Sequence, residues 1–185
     1  MSTLFVNNLN TASGTTITVP TGKKVVVTDQ GGITAPGSVV NTVQFPITGG
    51  GSTSSTSDVA MLTCGTYTTT LQNSKILINA PLQTQVGTNN SSSGLGVFQL
   101  RHSLDSYGSV LCRIATARYR DSSGNNGWMQ GGSPFQALHE PNQAAGTAIT
   151  YKIYGRKQTG VAGVYVNDTW GQSPIYNIII QEIAP

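Results

Sequence analysis

Charge is what this 185-residue chain has least of: Lys, Arg, Asp and Glu together make 9% of it, where about a quarter is usual. That scarcity argues against a helical bundle, whose solvated faces need Glu and Lys, and against a disordered chain kept open by charge. Histidine and cysteine occur twice each, and no CxxC, HxH or HExxH spacing is present, so a zinc site lacks its ligands. The seven acidic residues are scattered, which leaves calcium without a loop. No pair is nominated for glycoside cleavage among Asp105, Asp121, Glu140, Asp168 and Glu182. Gly31-Gly32 and Gly131-Gly132 lack the GK[ST] of a phosphate loop. No apolar run approaches the roughly 18 residues of a membrane span, and the start, MSTLFVNN, lacks the regions of a signal peptide. The expectation is a protein made in a cytoplasm, with no membrane insertion, no metal, no cofactor and no catalytic residue. Ten basic against seven acidic residues is too small an excess to predict nucleic acid as a partner.

What is abundant is glycine, at 22 residues, together with Ser, Thr, Asn and β-branched side chains. That mixture suits short strands joined by many turns. Val97 to Ser103 and Ser109 to Tyr119 alternate in polarity around Asp105-Ser106-Tyr107-Gly108, which predicts a central hairpin. Further strands are predicted at Asp58 to Cys64, Thr66 to Leu71, Ser74 to Val86, Thr147 to Lys157, Gly163 to Val166 and Ser173 to Ile183. The last is the most apolar and is expected in the middle of a sheet, buried on both faces. Turn signals at this spacing predict an all-β fold, an antiparallel β-sandwich with jelly-roll topology. Ser133 to His139 could make one helical turn, with Ser133 as N-cap and Pro134 at the first helical position.

The first 57 residues read differently. Short strand candidates (Thr3 to Val6, Thr15 to Val19, Lys24 to Thr28, Val39 to Pro46) carry almost no charge, and Gly49 to Ser57 has linker composition. Fewer than about 40 residues rarely build a core alone. Residues 1–57 are therefore expected to be a β-rich oligomerisation or attachment stem with its linker, and residues 58–185 a sandwich knob.

Candidate binding residues are few. Trp128, Tyr165, Asn167 and Trp170 are of the types that stack on sugars and bond to hydroxyls, and they equally suit plugging the ends of a sandwich. Arg118, Arg120, Arg156 and Lys157 read as subunit contacts or a solvated basic face. His102, Ser103 and Asp105 lie too close in sequence to converge as a triad, so His102 reads as a strand histidine held by hydrogen bonds. His139 reads as a loop-fixing residue, and Cys64 and Cys112 as buried free thiols.

IATARYRD (Ile114 to Asp121), Trp128-Met129-Gln130, SPFQALHEPN (Ser133 to Asn142), TYKIYGR (Thr150 to Arg156) and the ending SPIYNIIIQEI together resemble a C-terminal β-sandwich domain. That domain occurs in structural proteins of tailed bacteriophages, notably those of marine hosts. TITVPTGKKVVVTDQGGITAPGSVV is similar to the segment that precedes it. The resemblance implies a non-enzymatic virion protein, a homotrimeric tail fibre, tail-tip, head-fibre or capsid-decoration protein. Its stem would dock on other virion proteins, and its outward knob would contact a host-surface glycan or protein. A carbohydrate-binding module is the alternative from a different class, and a depolymerase ranks below it for want of a carboxylate pair.

Overall fold

The computed structural model describes residue 21 and residues 35–47, 49–87, 94–118, 129–131, 134–158, 160–167 and 176–185. The chain divides into two compact units, Met1–Ile33 and Thr34–Pro185, and every described strand belongs to the second. In chain order these are β1 (Val39–Ile47), β2 (Gly51–Thr53), β3 (Val59–Thr68), β4 (Lys75–Ala80), β5 (Thr84–Gly87) and β6 (Gly94–His102). After a 3-10 turn at Ser103–Asp105 come β7 (Val110–Arg118), β8 (Met129–Gly131), β9 (Phe135–His139), β10 (Ala148–Lys157), β11 (Gly163–Val166) and β12 (Tyr176–Ile183).

All pairings among them are antiparallel, in three four-stranded sheets ordered β1-β12-β4-β9, β2-β11-β5-β8 and β3-β10-β6-β7. The three orders share one rule. The trio β1, β2, β3 neighbours the trio β12, β11, β10, which neighbours β4, β5, β6, which neighbours β9, β8, β7. One core joins the sheets. Ile76, Ile78, Phe135, Ile178 and Ile180 come from the first, Val86, Val164 and Val166 from the second, and Phe98, Leu100, Ile149 and Ile153 from the third. The architecture is all-β, antiparallel and sandwich-like.

Side-chain alternation builds this core. In β12, Ile178, Ile180 and Glu182 are buried, while Ile179, Gln181 and Ile183 are only partly so. The strand does lie inside its sheet, but one face is buried rather than both. The hairpin of β6 and β7 pairs Phe98 with Ile114 and Leu100 with Cys112, as the alternation predicts, although β7 is an edge strand. In its turn, Asp105 accepts hydrogen bonds from Gly108 N (3.1 Å) and Ser109 N (2.6 Å), and Ser109 holds its carboxyl below the usual carboxylate range.

Two expectations fail for identifiable reasons. Ser133 to His139 is no helical turn: Phe135–His139 is β9, with Phe135, Ala137 and His139 buried, because hydrogen bonding to β4 overrides a local N-cap signal. The boundary expected at Gly49 to Ser57 does not separate compact units. β1 pairs along its length with β12 and β2 pairs with β11, so residues 34–57 belong to the sandwich. The strands expected before Ala35 lie outside the described residues.

Candidate functional site

One cross-section of the sandwich is polar. Asn41, Glu182, Ile76 and His139 are register neighbours across β1, β12, β4 and β9. From the facing sheet come Tyr67, Tyr151 and His102, of which Tyr151 pairs with His102. Glu182 is fully buried, and His139 and His102 are 7% exposed. The Glu182 carboxylate accepts from Tyr67 Oη and Thr70 Oγ1, both at 2.6 Å, and from the Thr70 and Leu71 backbone N–H groups at 2.9 Å. Burial raises its pKa, but hydrogen bonds from Ser74, Thr70, Tyr67 and Leu71 outweigh that and bring it down to about 2. Asn41 Nδ2 donates to Tyr67 Oη at 3.1 Å. Burial, then Glu182, drives the Tyr67 phenol upward.

Beside this network the two imidazoles stack, with ring centroids 4.3 Å apart, and His139 Nδ1 lies 3.0 Å from Tyr151 Oη. Burial first, then the neighbouring His102, lowers His139 to about 4, so it is neutral at physiological pH. His102 Nδ1 is 3.7 Å from Asp105 Oδ1, beyond hydrogen-bond reach, and Ser103 Oγ accepts from Thr150 N at 3.0 Å. A Ser-His-Asp relay is therefore not assembled here. Among the described residues no group of three or more His, Cys, Asp and Glu side chains could hold a metal ion. The layer holds two sheets and the segment at residues 69–74 together, and it makes His139 a core strand residue rather than a loop clamp.

The residues singled out from the sequence are dispersed. Trp128, Trp170 and Arg120 lie outside the described residues. Tyr165 is half-buried on β11, opposite Ser52 and Gln85. Asn167 is fully buried in a left-handed conformation (φ 52°), and its amide donates to Gly49 O at 2.7 Å. That is a turn-fixing role, and burial removes Asn167 from the expected sugar contacts. Arg118 ends β7, and Lys157 donates its backbone N–H to Ser55 O. Cys64 and Cys112 are free thiols, the first buried and the second half-buried.

A second constellation, on the outward face of the β3-β10-β6-β7 sheet, gathers residues the sequence reading left apart. Phe98, Leu100, Tyr151 and Ile153 point inward, so Gln99, Arg101, Lys152, Tyr154 and Arg156 share the opposite side. Arg113, the register partner of Gln99, is exposed there. Arg101 bonds to Asp58, and Arg156 Nη1 lies 3.5 Å from the same carboxylate. The Arg101 guanidinium also sits 4.9 Å from the Tyr154 ring centroid, and Lys152 Nζ 4.6 Å from that of Tyr107. Residue parity groups 99 with 101 on one strand and 152, 154 and 156 on another, and the β6–β10 pairing joins the two sets.

The outward face of the β1-β12-β4-β9 sheet is unlike it. Its two central rows are Thr42, Gln181, Leu77, Leu138 and Gln44, Ile179, Asn79, Gln136, and none of the eight is charged. Leu138 is 53% exposed. No protein-family model matches the chain, and no curated protein matches it.

Proposed function

We propose that this protein is a non-enzymatic structural component of a tailed-phage particle, a homotrimer whose sandwich is a jelly-roll knob. The observation that carries the reading is strand order. In a jelly roll, folded hairpins put the first and last strands side by side in each of two facing sheets, and the orders β1-β12-β4-β9 and β3-β10-β6-β7 support that reading. Taken with the phage-like motifs from IATARYRD to the C-terminal SPIYNIIIQEI, the topology favours a virion fibre or decoration protein over a soluble enzyme.

Trimer formation is supported by the uncharged outward rows on β1, β12, β4 and β9. Charge is depleted at the cores of protein interfaces, and aliphatic residues flanked by amides suit contact with another copy. The stem role moves to Met1–Ile33, since Thr34 begins the sandwich unit. Light scattering of the purified chain tests the assembly: a mass near three times 19.4 kDa is expected, and Leu138→Glu should lower it. Immunogold labelling of particles tests the location. A monomer unaffected by Leu138→Glu overturns the trimer, and unlabelled particles overturn the virion assignment.

A further inference from the structure

We infer that the outward face of the β3-β10-β6-β7 sheet binds an acidic polysaccharide, through a cationic, tyrosine-flanked strip running from Arg113 across Arg101 and Lys152 to Arg156. The inference does not rest on the virion assignment. It rests on charges that the fold brings together without neutralising them. Four of the chain's ten basic residues share this sheet face, and Asp58 meets two of them, Arg101 and Arg156.

Arg101 and Lys152 are direct register partners across β6 and β10. Like charges directly opposite on neighbouring strands destabilise a sheet. Arg101 and Arg156 then share one carboxylate, with side chains only 15% and 31% exposed, so two guanidinium groups are partly dehydrated around a single anion. A bound polyanion would supply the missing negative charge, and guanidinium forks match carboxylate and sulfate oxygens in pairs. Lys152 and Arg156 stand four residues apart along β10, roughly 13 Å between their backbones, and Arg113 lies two strands away on β7, a spread that suits a chain of anions better than a single ion.

Tyrosine placement favours a glycan over nucleic acid. Arg101 lies over the Tyr154 ring and Lys152 over the Tyr107 ring, so faces that would otherwise stack on bases are already covered by cations. Arg101 is held by Gln99 Oε1, Tyr107 O and Asp58, which leaves the phenol hydroxyls and the Arg113, Lys152 and Arg156 cations as partners for sugar hydroxyls and acid groups. Tyr107 reaches this face from a left-handed backbone (φ 65°), unusual for an aromatic residue, with its ring 5.8 Å from that of Tyr154. Strain of this kind is held where the surroundings require it.

Titration of the full chain with alginate (carboxylate), dextran sulfate (sulfate), neutral dextran and mixed-sequence single-stranded DNA is the test. Binding to alginate or dextran sulfate is expected, the tighter of the two naming the acid group, with none to neutral dextran and a loss at about 0.5 M salt. The double variant Arg113→Gln, Lys152→Gln alters partly or fully exposed side chains and should weaken binding about tenfold or more. Lys75→Gln should leave it unchanged, because Lys75 pairs with Glu140 at 2.8 Å on the other sheet. Absence of binding to both acidic polymers, or a double variant that binds like its parent, overturns the site. Tighter binding to the DNA overturns the choice of a glycan. Failure of particle labelling would leave these results standing, so the two proposals fail separately.

Discussion

Two neighbouring rows of one sheet, a single inward step apart along each strand, are built from opposite materials. Val43, Ile180, Ile78 and Ala137 form an aliphatic row, and Asn41, Glu182, Ile76 and His139 form the polar row beside it. Both point into the same interior. The aliphatic row is stabilised by removal from water, about 1.5 to 3 kcal/mol for each large side chain fully buried. The polar row gains little from burial itself and depends on every hydrogen bond being made. Its bonds reach beyond the sheet, to Tyr67 on β3 and to the backbone at Thr70 and Leu71. Slipping β12 by one residue would expose Ile180 and Glu182 together, but only the polar row would also strand its hydrogen-bond donors. The comparison teaches that polar residues here fix register and the loop at residues 69–74, while the aliphatic row supplies bulk stability.

The strongest way to break that distinction is to remove the carboxylate. Glu182→Leu leaves Tyr67 Oη and the Thr70 and Leu71 N–H groups without their acceptor, and about 4 kcal/mol of unfolding free energy should be lost. Ile180→Val, one inward step away, should cost about 1 kcal/mol. Urea titration of both variants makes the measurement. If Glu182→Leu proved the milder of the two, the polar row would not be what fixes this end of the sandwich.

Acid should act on the same row in two stages. His139 has its folded-state value lowered to about 4 from an ordinary 6.5, so the unfolded chain takes up the proton first. Its contribution is complete above pH 6.5 and is lost as pH falls toward 4, by about 1 to 3 kcal/mol. Glu182, brought down to about 2 from 4.5, contributes fully above pH 4.5 and loses that contribution as pH falls toward 2. Urea midpoints measured between pH 7 and pH 4 should fall for the parent and much less for His139→Gln. Equal slopes for the two proteins would remove His139 from the account.

Much of this was legible in the sequence, and what was not has a common cause. Strands β6 and β7 showed in local alternation, because each carries its own inward set, such as Phe98, Leu100 and His102 on β6, and β10, β11 and β12 showed as strand-forming runs rich in β-branched and aromatic residues. Strands β1 and β2 did not show as part of the knob. Their partners are β12 and β11, far along the chain, and a Gly- and Ser-rich run beside them looks like a linker until those pairings form. At β9 the Ser133-Pro134 pair imitated a helix start, and the apolar Leu138 on the outward side blurred the alternation of Phe135, Ala137 and His139. Glu182 could have been found, since it shares parity with Ile178 and Ile180. A carboxylate on that parity runs against its charge, and only the donors from residues 67–71 explain its burial. Parity shows which residues of each strand share a face, but bringing Asp58, Arg101 and Arg156 onto one cationic sheet face needed strand order, because they come from separate parts of the chain.

A smaller effect comes from the sheet facing the polar row. Gly65 lies opposite Tyr151 at φ 131°, and a Cβ there would come within 2.6 Å of the Phe45 ring, which packs from β1. Gly65→Ala should cost about 2 kcal/mol, through backbone strain and displacement of Phe45 together. Gly65→Ala with Phe45→Leu should recover part of that loss, because the smaller side chain admits the methyl group. A thermal melt with no recovery would assign the whole cost to the backbone.

The least perturbing measurement alters no residue. Cys64 is fully buried, and burial pushes its thiol up to about 12, against a weaker opposing hydrogen bond from the Ile153 backbone. Because the thiolate is the reacting species, Cys64 in the folded protein should react with a disulfide reagent at about pH 8 roughly a thousandfold more slowly than after unfolding. Half-buried Cys112, on the edge strand β7, should react first. Adding Glu182→Leu should speed Cys64 labelling, because loosening the polar row lowers the cost of opening β3 against β10, where Cys64 lies. If instead Ile180→Val sped Cys64 labelling more than Glu182→Leu, local opening would be governed by aliphatic packing. The division of labour between the two rows would then be reversed.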